Sequence, residues 1–327
     1  MLLGLSLATG QVRWRRPTRD ASQGEVCATA GTAFVEGAVP DSNVQFAARS
    51  LGDGGALWTD SSSSHVPQSL AGGRLLAVER APDRTRDDAH FRITARDART
   101  GVECWRAVHD GRPGDIAVAE GRVIVPTHTE GVLALDPASG ERQWRSEVGG
   151  DTVAVADGRV ITQRFAGELR ALSLADGSVE WQVRSDHFGE GGTGDDGTQY
   201  ARPGFEVGAV TSETVVYKLD VYSEYPARVQ ARDLETGDLR WDFGPAPAPV
   251  EFHDYSRPVV VGDDVLAIRY ARRDQRENPP DALVRLDVAT GSELDRVPFS
   301  ADEYVYPPVV ADATLLVPTE ERLIAVR

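Results

Sequence analysis

The sequence predicts an all-β fold of four-stranded antiparallel blades, a β-propeller, and three observations carry that prediction. First, a glycine followed four residues later by tryptophan recurs along the chain, in "LSLATGQVRW", "RDARTGVECW", "LDPASGERQW", "LSLADGSVEW" and "RDLETGDLRW". Second, the turn glycines, Gly10, Gly54, Gly101, Gly140, Gly177, Gly237 and Gly291, stand 44, 47, 39, 37, 60 and 54 residues apart. Periods of roughly 40–50 residues built from short apolar segments fit propeller blades rather than helical solenoids. Third, no stretch keeps helical apolar spacing over three turns, whereas alternating, β-branched segments abound.

The interval "DIAVAEGRVIVPTHTEGVLALDPASGERQWRS" shows one unit with little insertion. It reads as strand A (115–119), a turn at Glu120-Gly121, strand B (122–126), a short loop, strand C (131–136), the Ser-Gly corner and strand D (142–146). Glycine at the corner supplies the positive φ that the reversal requires. The aromatic partners are Trp14, Trp58, Trp105, Trp144, Trp181 and Trp241, and the seventh copy has Asp295 instead. An indole on the outer strand, facing in, is the right size to fill the wedge between neighbouring blades. Further tight turns are expected at Gly72-Gly73, Asp157-Gly158 and Asp263-Asp264.

The phrase "ALDPASGERQW", preceded by an "EGRV" or "DGRV" hairpin, resembles the pyrroloquinoline-quinone-type (PQQ-like) propeller repeat, and the resemblance covers essentially the whole chain. WD-repeat and kelch signatures are absent. The resemblance is to the non-catalytic branch, similar to the propeller lipoprotein of the outer-membrane barrel-assembly machinery and to sensor domains of actinobacterial-type Ser/Thr kinases. It implies a scaffolding role and an extracytoplasmic location.

The chain opens with strands C and D of a unit and closes with strands A, B and C, giving 29 strands. Seven blades with the first strand D completing the last blade follow, because a propeller avoids exposed edges by pairing its termini. Eight blades, one incomplete, are the alternative, and a start in mid-repeat points to a segment upstream of Met1. The expectation is one propeller domain over 1–327.

The balance of 35 basic against 51 acidic residues, net −16, disfavours nucleic-acid and anionic-lipid partners. Lys218 is the only lysine, a bias that a GC-rich genome accounts for. No apolar run is long enough to span a membrane, and "MLLGLSLATG" aligns with the repeat rather than with a signal peptide. Cys27 and Cys104 read as small buried side chains.

Every long insertion falls at the D-to-A and B-to-C connections: 185–204, 243–256, 296–307, 80–90, 219–227 and 270–282. Connections of that length are usually functional. All six histidines, His65, His90, His109, His128, His187 and His253, lie there too, a distribution that loop polarity alone explains. They lack metal-ligand spacing. Segment 186–197 holds four carboxylates among glycines without calcium-loop spacing and reads as a linker. The candidate contact face comprises His187, His253, Asp254, Tyr255, Tyr222, Tyr225, Tyr304 and Tyr306, since tyrosine joins apolar area to a polar tip.

The sequence carries no GxSxG, phosphate-binding loop or cysteine-histidine pairing. The reading is therefore a monomeric, non-catalytic propeller with a protein partner and with no catalytic, cofactor or metal residues. One alternative is a quinone-dependent dehydrogenase. Those enzymes resemble this chain in the blade phrase but are much longer, and they use adjacent cysteines, a tryptophan floor and calcium held by Glu, Asn and Asp. Here the cysteines are not neighbours, all six tryptophans take the repeat position, and only Asn43 and Asn278 are asparagines. A glycan- or small-ligand-binding propeller is the other alternative.

Overall fold

The computed structural model describes the chain except residues 1, 18–25, 30, 37–45, 61–64, 81–89, 111–112, 128–129, 151, 165–166, 186–203, 221–226, 245–253, 271–279, 301–304, 312–313, 320–321 and 327. Two compact units divide it, Met1–Val153 and Ala154–Arg327.

The first unit opens with a hairpin, β1 (Leu2–Leu5) and β2 (Val12–Arg16). Three four-stranded antiparallel sheets follow. They are β3 (Val26–Ala28), β4 (Thr32–Glu36), β5 (Phe46–Ser50), β6 (Ala56–Asp60); β7 (His65–Ala71), β8 (Arg74–Arg80), β9 (His90–Asp97), β10 (Glu103–Asp110); and β11 (Ala117–Ala119), β12 (Arg122–Thr127), β13 (Gly131–Leu135), β14 (Arg142–Ser146). Next in chain order come β15 (Thr152–Ala156), β16 (Arg159–Arg164), β17 (Glu168–Ser173), β18 (Val179–Arg184) and then β19 (Gly204–Val210), β20 (Thr214–Asp220), β21 (Arg228–Asp233), β22 (Leu239–Phe243). The sixth sheet has five strands: β23 (Asp254–Tyr255), β24 (Val259–Val261), β25 (Asp264–Tyr270), β26 (Ala282–Asp287) and β27 (Glu293–Pro298). The last has three, β28 (Val309–Ala311), β29 (Thr314–Pro318) and β30 (Leu323–Val326). This is the all-β, seven-bladed propeller class with mostly four-stranded antiparallel blades.

Strand D of the model unit begins and ends at Arg142 and Ser146, as its sequence predicts. Strand A is shorter than expected, Ala117–Ala119, because Asp115 and Ile116 together face only Val125 in the register that joins Gly114 to Pro126 and Ala117 to Ile124. The same extra residue recurs at Gln68, at Gly208 and at Arg257-Pro258. At the last of these, proline removes a ladder donor and splits strand A into β23 and β24, so 30 strands stand among the described residues where 29 were expected. The turn expected at Asp263-Asp264 is shifted back by one residue. Asp264 already pairs with Val261, and Gly262 takes the positive φ of 60°. The turns at Gly72-Gly73 and Asp157-Gly158 have both residues at positive φ, the geometry of tight hairpins.

The inter-sheet interior is apolar. Ile93, Trp105, Val123, Leu133 and Leu135 form one cluster, and Trp241, Val265, Val284 and Leu286 belong to another. Cys27 is half-buried and Cys104 exposed, which corrects the expectation that both are buried. Cys104 is the residue skipped in the β9–β10 register between Glu103 and Trp105, and that bulge turns it outward.

Candidate functional site

Five of the repeat glycines meet a repeat tryptophan, and each of these pairs spans two blades. The Trp105 indole of β10 lies against the corner of the next sheet, where a Cβ on Gly140 would stand 2.6 Å from its ring. Its Nε1–H donates to the Pro137 carbonyl at 2.9 Å. Trp14, Trp58, Trp181 and Trp241 repeat this on Gly54, Gly101, Gly237 and Gly291, donating to Leu51, Ala98, Leu234 and Val288 at 2.8–3.0 Å. Corner glycine is thus required twice, for its φ of +67° to +76° and for its missing side chain. Trp144 is half-buried, and Gly177 holds a φ of 76°.

Two further parts of this lock escaped the sequence reading. The residue before each tryptophan is a bulge, Arg13, Leu57, Cys104, Gln143, Glu180 and Arg240 in turn. Opposite each tryptophan on strand C is a small residue, Gly4, Ala48, Ala95, Ala134, Ala171 or Ala231. Where Asp295 replaces the indole, Arg285 replaces the small residue, and Arg285 also donates to Asp264 at 2.8 Å. A small residue six positions before the corner glycine, in every copy that has the tryptophan, was the available signal.

The corner aspartates brace the turn. Asp136 Oδ1 accepts from the backbone N–H groups of Ala138 and Ser139 at 2.7 and 2.9 Å. Asp233 does the same for Glu235 and Thr236 and also accepts from Arg240 at 2.7 Å, so its carboxyl is held at about 2, first by Arg240 and then by those N–H groups. The folded value lies below the unfolded one, near about 4. Its contribution is therefore complete above that pH and is lost as pH falls toward 2. Asp233→Asn should flatten the acid limb of urea-midpoint measurements between those limits, and an unchanged limb would refute the assignment.

At the opposite, long-connection ends of the sheets, His187, His253, Tyr222, Tyr225 and Tyr304 lie outside the described residues, as do His128 and segment 186–197. Tyr306 is 44% exposed and remains a surface residue. Tyr255 is a correction: it is 3% exposed, in the core cluster of Trp241, with its ring 6.2 Å from Phe243. Burial pushes its phenol upward. Asp254 is exposed at its carboxylate and ion-paired at 2.8 Å with Lys218, whose ammonium also lies 3.7 Å from Glu206. The single lysine is 7% exposed and joins strand B of one sheet to strand A of the next, a placement that composition cannot reveal. His109 lies 3.5 Å from Glu130. Glu168, 5% exposed, pairs with Arg170 and, at 2.8 Å, with Arg184.

Buried charges at this end are thus compensated within the fold, as buried charges must be. Among the described residues, no group of three or more His, Cys, Asp and Glu could hold a metal ion. No described helix is long and apolar enough to cross a membrane.

The family model described as outer membrane protein assembly factor BamB, of the PQQ-like repeat type, matches residues 89–327. That is well over half of the chain, and the chain belongs to this family. Among solved structures it is similar to BamB from Moraxella catarrhalis, with 14% identity over 92% of this chain and 95% of that one and a TM-score of 0.50. It is also similar to the computationally designed Ika8 protein, with 12% identity over 97% and 87% and a TM-score of 0.65. The quinohemoprotein alcohol dehydrogenase from Comamonas testosteroni is similar at 12% identity over 96% of this chain and 66% of that one, with a TM-score of 0.62. At such identities the likeness shows the fold alone. A comparison with curated proteins found no match.

Proposed function

We propose that the chain is a non-catalytic scaffold that holds a protein partner at the long-connection ends of its blades, in an extracytoplasmic assembly. One observation carries the reading. The A-to-B turns at 72–73, 120–121, 157–158 and 262–263 are two-residue hairpins, and the described C-to-D corners span a few residues, whereas 81–89, 185–203, 221–227 and 271–281 all join strands at the opposite ends. Such one-sidedness suits sheets that present variable loops at one end. Membership of a family described as an assembly factor supports it, as does a net charge of −16, which repels nucleic acid.

The test replaces 186–203 and 245–253 with short Gly-Ser links and compares partner capture by chemical crosslinking in membrane extracts. Loss of a specific crosslinked partner, with the far-UV spectrum unchanged, is expected. Retention of the same partner by the doubly shortened chain would overturn the reading. Turnover of an alcohol after addition of the quinone and calcium would replace it with the dehydrogenase alternative.

A further inference from the structure

Strand A of the sixth sheet is broken in two, and its first half is held by the neighbouring sheet as well as by its own. β23 pairs with β25 only at Asp254 and Tyr255, and Arg257-Pro258 interrupts the ladder before β24. Three contacts tie this half to the fifth sheet. The Tyr255 ring lies 6.2 Å from Phe243, in the cluster of Trp241. Arg257 Nε donates to the Val207 carbonyl at 2.5 Å. Asp254 Oδ1 stands 2.8 Å from the Lys218 ammonium.

The third contact has a second seat. Lys218 lies directly across the β19–β20 register from Glu206, whose carboxylate is 3.7 Å from the same ammonium. The Lys218 side chain is 8% exposed, whereas those of Asp254 and Glu206 are 56% and 43% exposed. One buried cation is thus within reach of two surface carboxylates, one on its own sheet and one on the next. A buried ammonium is costly without an anion, and Glu206 is placed to hold it when Asp254 leaves. The residue type fits that exchange. Every other Lys-or-Arg position in the chain is arginine. A planar guanidinium favours one fixed fork, whereas an ammonium on a four-carbon stem turns its three donors between partners.

We propose that Lys218 is a two-position latch at the seam between the fifth and sixth sheets. On Asp254 it holds the first half of strand A in place, and on Glu206 it lets residues 254–256 detach while both sheets stay folded. Burial of Tyr255, 3% exposed, keeps the detached state a minor one. The latch needs no partner and does not depend on the scaffold reading above.

Hydrogen exchange of the full chain, followed by mass spectrometry, tests it, because the Ser256 N–H donates to the Ile268 carbonyl at 2.7 Å and is released when β23 lifts. Asp254→Asn should speed exchange in the peptide covering 254–258 at least fivefold, and Glu206→Gln should slow it at least twofold. Each variant removes one negative charge from an exposed side chain, so opposite signs separate a shared cation from a general charge effect. Exchange in β26 should match the native chain in both. Acetylation of Lys218 by an N-hydroxysuccinimide ester should be at least threefold faster in Asp254→Asn than in the native chain. Exchange effects that share a sign, an unchanged exchange rate in either variant, acceleration that extends to β26, or equal acetylation rates would each overturn the proposal.

Discussion

Trp105→Ala is expected to lower the free energy of unfolding by about 3–5 kcal/mol, the usual cost of removing a large buried aromatic ring. The indole is 8% exposed and packs in a cluster shared by two sheets. Its loss also deprives the Pro137 carbonyl of a donor. Gly140→Ala attacks the same lock from the other side. An L-residue at a φ of +74° costs about 1–2 kcal/mol by itself, and the new Cβ, 2.6 Å from the ring, must push the indole out of place. Gly121→Ala is the control, since it has a φ of +72° and nothing within 4 Å. Gly140→Ala should therefore destabilise more than Gly121→Ala by roughly 1–3 kcal/mol, an overpacking cost. In the double variant that excess disappears, because the ring that was struck is gone. Urea unfolding of the four proteins should give a coupling of about 1–3 kcal/mol between Trp105 and Gly140. Additive losses would show that glycine serves the turn alone.

The lock also explains why this fold was legible. Glycine holds all seven corners and tryptophan six of the seven seam positions, so their spacing survives in the sequence as a period. The bulge between them does not. Arg13, Leu57, Cys104, Gln143, Glu180, Arg240 and Leu294 share no side-chain chemistry, because a residue skipped by the ladder and turned outward has no packing requirement. Strand A bulges are hidden for the same reason, and the turn at Gly262 was misplaced by the acidic pair that follows it.

At the candidate face, composition suggested tyrosines and carboxylates on a surface. It could not show that Tyr255 is core or that Asp254 answers a buried lysine, because both facts depend on what the adjacent sheet brings alongside. The Asp295–Arg285 exchange is instructive. The sequence shows a missing tryptophan, but only the register shows that the small residue beneath it changed too.

A buried tyrosine links this lock to pH. Tyr217 of β20 is 0% exposed, with its ring edge-on to Phe205 at 5.1 Å. Its hydroxyl donates to Gln230 Oε1 at 2.7 Å and accepts from Arg232 Nε at 2.8 Å. Arg232 in turn donates to the carbonyl of Gly237, the corner that seats Trp181. Burial pushes the Tyr217 phenol up to about 12, against the pull of Arg232. The folded value therefore lies above the unfolded one, near about 10. Its contribution is full below that pH and is lost as pH rises through 12. Two pH units of displacement correspond to about 3 kcal/mol. Tyr217→Phe should cost about 1–3 kcal/mol at pH 8, because Gln230 and Arg232 lose a buried partner. It should then escape the further alkaline loss that the native chain suffers, so the two stability curves converge as pH rises from 10 to 12. Tyr255→Phe removes a phenol whose hydroxyl holds no such bridge, and its curve should stay closer to the native one. Parallel curves for Tyr217→Phe and the native chain across that window would mean that the Tyr217 phenolate forms in the folded blade without penalty, and the Tyr217–Arg232–Gly237 link would lose its energetic role.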